Sequence, residues 1–190
     1  MKNYTEWNKR VFPRLLQNLP KRLQLDLKCI DFDYSKETGM SLSTEAVNGV
    51  FLHGDTGTGK TVWAAQTALQ WSFHRYMKDK ETEFMFIVCP ALFYQLREQF
   101  SKTERDHEFI PYLCNVPLLI LDDIAVDKLT PYVYQMLYLI INTRYDSMLP
   151  TIFTSNVNLL DLEKMFGDSR ITSRINRSCN ILKKEHYDKK

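Results

Sequence analysis

From residue 49 onward, short and nearly continuous apolar runs alternate with longer mixed stretches. Runs such as Phe84-Met85-Phe86-Ile87-Val88 and Leu118-Leu119-Ile120-Leu121 predict strands buried on both faces. Strands are expected over 50–53, 83–89, 116–121 and 150–154, with a weaker one near 179–183. Helices are expected over 59–78, 91–101, 130–147, 158–166 and 170–177, and Pro90 and Pro131 suit first helical turns. Strands alternating with helices predict an α/β fold, a parallel sheet with helices on both faces. Before residue 49 the pattern is weaker. Residues 1–19 read as a short amphipathic helix broken by Pro13. Residues 20–48 read as irregular, with Asp31-Phe32-Asp33-Tyr34 extended and a turn at Glu37-Thr38-Gly39. The expected organisation is a basic, amphipathic extension (1–19) followed by one domain (20–190).

Composition changes this picture little. The chain has 190 residues, 44% hydrophobic and 25% charged, ordinary for a soluble globular domain. It has no apolar run of about 18 residues, so no membrane span is expected. Charge interrupts Trp7, Phe12 and Leu15, so the N-terminus lacks the apolar stretch of a signal peptide. Cys29, Cys89, Cys114 and Cys179 are scattered, which supports neither a zinc site nor a disulfide framework. A reduced, cytoplasmic setting is the expectation. Net charge is +2, but both ends are basic. Residues 1–28 and 164–190 each carry +5, leaving the middle at −8. Basic ends can touch nucleic acid or an acidic partner, or can be solvated termini; charge alone leaves both open.

The candidate chemistry begins with Gly54-Asp55-Thr56-Gly57-Thr58-Gly59-Lys60-Thr61, which is G-x-x-x-x-G-K-[ST] without deviation. It follows the apolar run Val50-Phe51-Leu52-His53 and precedes a stretch, 62–71, free of Gly and Pro. In that strand–loop–helix context the glycines let backbone N–H groups turn inward on phosphate oxygens. Lys60 reaches the outer phosphates and the Thr61 hydroxyl ligates Mg2+.

Leu118-Leu119-Ile120-Leu121 ends in Asp122-Asp123. A buried strand presents Asp122 at its tip, where it can share Mg2+ with Thr61. Asp123 can polarise a water that attacks the γ-phosphate. The adjacent second acid suits hydrolysis rather than transfer to a metabolite. Pro150-Thr151-Ile152-Phe153-Thr154-Ser155-Asn156 is another strand ending in polar residues. Asn156 can orient that water or sense the γ-phosphate, whereas Ser155 or Asn158 suits a helix N-cap.

Arg170, Arg174 and Arg177 share one helix face at i, i+4 and i+7. Such a row is either a solvated face or a source of an arginine finger given to a neighbouring subunit, which requires an oligomer. Arg144, at a helix C-terminus, either complements the dipole or makes an intersubunit or DNA contact. Trp63 and Trp71 read as core packing. His53 and His74 read as structural, and His107 lies in a polar loop with no partner suggested by the sequence.

The order of these segments, with Leu121-Asp122-Asp123-Ile124, Ile140 to Tyr145, Leu149 to Asn156 and Ser169 to Ile175, resembles the AAA+ ATPases of the DnaC/IstB group. That group contains replicative helicase loaders and transposition helpers. The resemblance covers about 20–180 and is most specific over 118–175. It implies a P-loop NTPase (ASCE/AAA+) fold binding ATP with Mg2+ through Gly54 to Thr61. It also implies Asp122 on the metal, Asp123 as base, Asn156 as sensor 1, and Arg174, then Arg170, as the finger acting in trans in a homo-oligomer. Residues 28–34 resemble the linker that packs near adenine. Members commonly carry a sensor 2 arginine in a C-terminal lid. Here 180–184 are followed by few residues, so no C-terminal helical lid is expected.

The first functional expectation is a helicase loader acting on single-stranded DNA and a DnaB-type replicative helicase, with residues 1–19, through Trp7, Phe12 and Leu15-Leu16, forming the partner-binding helix. The alternative is a transposition helper of IstB type, acting on duplex DNA with a transposase. A poorly hydrolysing scaffold and a small-molecule kinase are weaker readings. Asp123, the Thr154-Ser155-Asn156 strand end and the arginine-bearing helix argue against the kinase.

Overall fold

Five parallel strands of five residues each form the centre of the structure, a computed structural model that describes residues 3–29, 49–101, 108–125 and 129–185. They are β1 (Gly49–His53), β2 (Phe84–Val88), β3 (Leu118–Asp122), β4 (Thr151–Ser155) and β5 (Cys179–Lys183). Their order in the sheet is β2-β3-β4-β1-β5, every neighbouring pair parallel. The strand expected only weakly near 179–183 is thus present, as the edge strand beside β1. The segment expected as extended at 31–34, the turn at Glu37 to Gly39 and His107 lie outside the described residues.

Alternation along β3 sorts the helices onto two faces. Leu118 and Ile120 join one apolar layer, and Leu119 and Leu121 the other. The first layer is covered by α1 (Tyr4–Arg10), α2 (Phe12–Gln17), α3 (Lys21–Cys29) and α4 (Lys60–Met77). The second is covered by α5 (Cys89–Ser101), α6 (Phe109–Asn115), α7 (Pro131–Asp146), α8 (Leu159–Phe166) and α9 (Arg170–Ser178). Strands apolar on both faces require such double coverage.

The N-terminal region differs from expectation. Residues 21–29 form a helix, where an irregular segment was expected. Leu23 and Leu27, one turn apart, are buried on the first layer. Within residues 3–19 the chain forms two helices. Asn3 caps the first by accepting from the Glu6 N–H, and Pro13 opens the second in its first turn. Their apolar side chains face inward. Trp7 is fully buried, with its ring 5.5 Å from that of Phe73 on α4, and Leu15 and Leu16 are buried beside it. Helix α6 is a further element that the sequence pattern did not predict.

Arg144, near the end of α7, is only 1% exposed. Its guanidinium donates to the Leu113 carbonyl (3.0 Å), the Val116 carbonyl (2.8 Å), the Pro150 carbonyl (2.7 Å) and Thr151 Oγ1 (2.9 Å). It therefore ties the end of α6 to the starts of β3 and β4 and is unavailable to DNA or a neighbour. Burial lowers its pKa to about 10, which leaves it charged at neutral pH. Arg144→Met keeps the stem but strands these acceptors. We expect it to cost about 3 kcal/mol of unfolding free energy, read from the midpoint of urea denaturation. An unchanged midpoint would remove Arg144 as a structural tie.

Candidate nucleotide site

The site lies at the carboxyl edge of the sheet, where β1, β4 and β3 stand side by side and ligands of such folds sit. The chain leaves β1 into the loop 54–59 and enters α4 at Lys60. Gly59, the residue before α4, has φ +81°, a left-handed conformation that costs a glycine little. Gly54, at φ +150°, donates its N–H to the Ser155 carbonyl (3.2 Å), which holds the loop against the tip of β4. The Thr58 hydroxyl donates to the Asp55 carbonyl (2.9 Å) and braces the turn.

Lys60 is folded into this loop. Its Nζ donates to the Gly54 carbonyl (2.7 Å) and the Asp55 carbonyl (2.8 Å), and it is buried. Burial lowers its pKa, while Asp123, Asp122 and Asp55 pull it back up. His53, half-buried at the end of β1, is also pushed down, by burial and then by Lys183 and Lys60. Positive charge thus gathers on the β1–β5 side of the loop and negative charge on the β3 side.

Asp122 ends β3, paired with Val88 of β2. Its Oδ1 accepts from the Thr61 hydroxyl (2.9 Å) and from the Thr154 hydroxyl (2.7 Å). Burial raises its pKa, and the hydroxyls of Thr154 and Thr61 oppose that shift. Thr154 Oγ1 also accepts from the Asp123 N–H (2.8 Å), and the Thr154 carbonyl accepts from the Ile124 N–H (3.0 Å). Asp123 has φ +58°, a left-handed conformation rare outside glycine and best tolerated by Asn and Asp. Its Oδ1 accepts from Asn156 Nδ2 (3.1 Å). A continuous chain of hydrogen bonds therefore runs Thr61, Asp122, Thr154, Asp123, Asn156.

The polar end of β4 divides its tasks. Asn158 caps α8, its Oδ1 accepting from the Asp161 N–H (2.9 Å). Ser155 closes a local turn, accepting from the Val157 N–H (3.0 Å) and donating to its carbonyl (2.7 Å). Asn156 is left facing Asp123.

The arginine row is held elsewhere. Arg170 pairs with Asp168 (2.8 Å), whose pKa this partner draws down to about 2, and its guanidinium lies over the rings of Tyr134 and Tyr138. Arg174 donates to Asn142 Oδ1 (2.9 Å) and the Tyr138 hydroxyl (3.2 Å) while lying over the Tyr138 ring. These partners belong to α7 and to the turn before α9, not to the phosphate loop. Arg177 is exposed.

Thr154 is the residue that sequence reasoning passed over. A threonine within a strand reads as ordinary β-propensity. Its signal was a hydroxyl inside a strand buried at every position, which must find partners.

Hard oxygens suit Mg2+, and the Thr61 hydroxyl and Asp122 carboxylate meet here at hydrogen-bonding distance. No group of three or more His, Cys, Asp or Glu side chains able to hold a metal occurs among the described residues. That is compatible with Mg2+, which is commonly held by one or two protein groups together with phosphate oxygens. No helix among the described residues is long and apolar enough to cross a membrane.

Comparison with known proteins agrees with this geometry. The chain is 28% identical over 141 residues to the uncharacterized protein YdaV of Escherichia coli (strain K12). The match covers 74% of this chain and 54% of YdaV, so the chain spans about half the length of that curated relative. Among solved structures, it is similar to a putative primosome component from Streptococcus pyogenes serotype M3 (TM-score 0.66, 23% identity, 95% of this chain and 100% of that one). It is similar to the DnaC helicase loader (TM-score 0.60, 22% identity, 93% and 99%). It is also similar to the replication initiator DnaA bound to AMPPCP and single-stranded DNA (TM-score 0.58, 21% identity, 76% and 42%). These likenesses establish the P-loop AAA+ fold. The profile of the IstB-like ATP binding protein family matches residues 20–186, and the chain belongs to that family.

Proposed function

We propose that this chain hydrolyses ATP with Mg2+ at the loop 54–61 and acts as a helicase loader on single-stranded DNA and a DnaB-type replicative helicase. The observation that carries the hydrolysis is the hydrogen-bonded chain from Thr61 through Asp122, Thr154 and Asp123 to Asn156. Gly54 to Thr61, with Asp55, Thr56, Gly57, Thr58 and Gly59 between, cradle the triphosphate, and Lys60 turns from the loop carbonyls to the outer phosphates. Thr61 and Asp122 would hold Mg2+, which would supply charge neutralisation on the phosphate oxygens. Asp123 takes the proton of the attacking water, and Asn156 fixes that carboxylate.

The loader reading is supported by the fold shared with the DnaC helicase loader and with DnaA bound to single-stranded DNA. Because Trp7, Leu15 and Leu16 are spent on the core, the N-terminal extension meets a partner through its exposed Lys9 and Arg14. The match to the IstB-like family is compatible with a second reading, a transposition helper of IstB type acting on duplex DNA with a transposase. Hydrolysis assayed with no DNA, single strands or duplex, each with and without a DnaB-type helicase, separates them. Stimulation by single strands, altered further by helicase, fits the loader. Stimulation by duplex alone removes it in favour of the second reading.

In either assembly Arg174 serves as the finger for a neighbour's γ-phosphate, with Arg170 second. Tyr138 and Asn142 hold the Arg174 guanidinium in place, which reduces the entropy lost on engagement. Arg174→Ala is expected to leave ATP binding unchanged and to lower hydrolysis by the assembled protein about a hundredfold. Equal turnover of wild type and variant across a protein-concentration series would exclude that role.

A further inference from the structure

The edge strand β5 ends beside the phosphate loop. Its pairing with β1 closes at His53 opposite Lys183, and the next N–H, of Lys184, still donates to the His53 carbonyl (2.7 Å). Lys184 therefore stands one residue beyond the sheet, where the loop leaves β1. The contact is close: a Cβ on Gly54 would lie 2.1 Å from the Lys184 carbonyl oxygen. Only a glycine allows the loop to approach this strand end so nearly.

The side chains of the two lysines diverge, as strand alternation requires. Lys183 is exposed and pairs with Glu185 (3.1 Å). Lys184 is half-buried and runs along the loop, its Cε 3.8 Å from the position a Cβ would take on Gly59. Gly59 directly precedes α4, whose first N–H groups and dipole favour an anion. The carboxylates of Asp122 and Asp123 end β3, on the other side of β4 from β1 and β5. A cation on the β5 side meets little competition from them.

We propose that Lys184 is a second nucleotide-binding cation, supplied in cis by β5, which contacts the phosphate chain on the side opposite the Asp122–Asp123 pair. The proposal rests on the reading of loop 54–61 as a nucleoside triphosphate site and adds a residue to it. Lys184 lies away from the hydrolytic acids, so it binds substrate and product alike rather than promoting the chemical step. ATP and ADP affinities fall together when its charge is removed, and kcat does not.

The test is calorimetric titration of the 190-residue chain with Mg-ATP and with Mg-ADP, alongside steady-state hydrolysis. Lys184→Met keeps an apolar stem and loses the charge; Lys184→Ala loses both. Each is expected to weaken ATP and ADP binding about tenfold, with kcat within about twofold of wild type. Lys184→Arg is expected to restore most of the affinity, and Lys183→Ala to change little. The wild-type affinity falls more steeply with added KCl than that of Lys184→Met, since one phosphate contact fewer is screened. A merely structural role for the side chain would not alter that salt dependence. Wild-type affinity in both Lys184→Met and Lys184→Ala, with binding lost in Lys60→Ala, overturns the proposal and leaves the loop assignment standing. ATP binding that survives Lys60→Ala removes the loop assignment itself, and this inference with it.

Discussion

Lys60→Ala is expected to abolish productive nucleotide binding, lowering kcat/KM for ATP on the order of a thousandfold. Two losses combine. The ammonium proposed to reach the outer phosphates disappears, and with it a charge-assisted contact from a buried lysine. The loop also loses an internal brace, because Lys60 Nζ holds the carbonyls of Gly54 and Asp55 (2.7 and 2.8 Å). Those carbonyls begin the turn whose N–H groups are proposed to face the phosphates. The lysine is buried and feels the charges of Asp122 and Asp123, so its removal also takes away a cation that acts on both carboxylates. Titration with Mg-ATP and a phosphate-release assay check the result. Secondary structure should be retained, since Lys60 belongs to neither apolar layer. ATP turnover within tenfold of wild type would place the phosphate site elsewhere.

Much of the fold was legible because backbone geometry dictates its signals. A glycine-rich loop between an apolar run and an unbroken helical stretch fixes where β1 ends and α4 begins. Strands that are apolar on both faces, such as 84–88 and 118–121, demand a covered parallel sheet. The missed elements are those whose local pattern is weak. Helix α3 has few apolar side chains, and Leu25 between Leu23 and Leu27 is exposed and blurs the period. Helix α6 is seven residues long, with Pro111 inside it. Neither gives a window long enough for a 3.6-residue rhythm to stand out.

The site was legible to a different depth. Residue types at strand tips pointed to Asp122, Asp123 and Asn156, because a motif at the carboxyl edge carries its own geometry. Partnerships across the fold left no trace in the pattern. Arg144 is bound mainly by carbonyls of distant turns, and a carbonyl is the same whatever residue bears it. Arg174 is steadied by Tyr138 and Asn142, which lie 36 and 32 residues away on another helix. Lys184 reads as one basic residue in a basic tail until β5 is placed beside β1. Tertiary pairing decides each of these, and spacing along the chain does not encode it.

Asp123→Asn is expected to separate binding from chemistry, leaving Mg-ATP affinity within about threefold of wild type and lowering kcat about a thousandfold. The substitution suits the backbone. Asp123 occupies a left-handed conformation at φ +58°, and asparagine is the other non-glycine residue that tolerates it well. Its N–H can still donate to Thr154 Oγ1 (2.8 Å), so the link through Thr154 to Asp122 survives, and Asp122 keeps its place opposite Thr61. What is lost is the carboxylate proposed to accept a proton from water. The amide can accept from Asn156 Nδ2 through its own oxygen, so the side chain stays oriented while its basicity vanishes. Asp122→Asn provides the contrast, because it removes negative charge beside Thr61 and should impair Mg-dependent affinity as well as turnover. Single-turnover hydrolysis measured beside equilibrium binding distinguishes the two positions. If Asp123→Asn turned over ATP within tenfold of wild type, the strained turn at the end of β3 would serve to shape the loop, and the base would have to be sought on another strand.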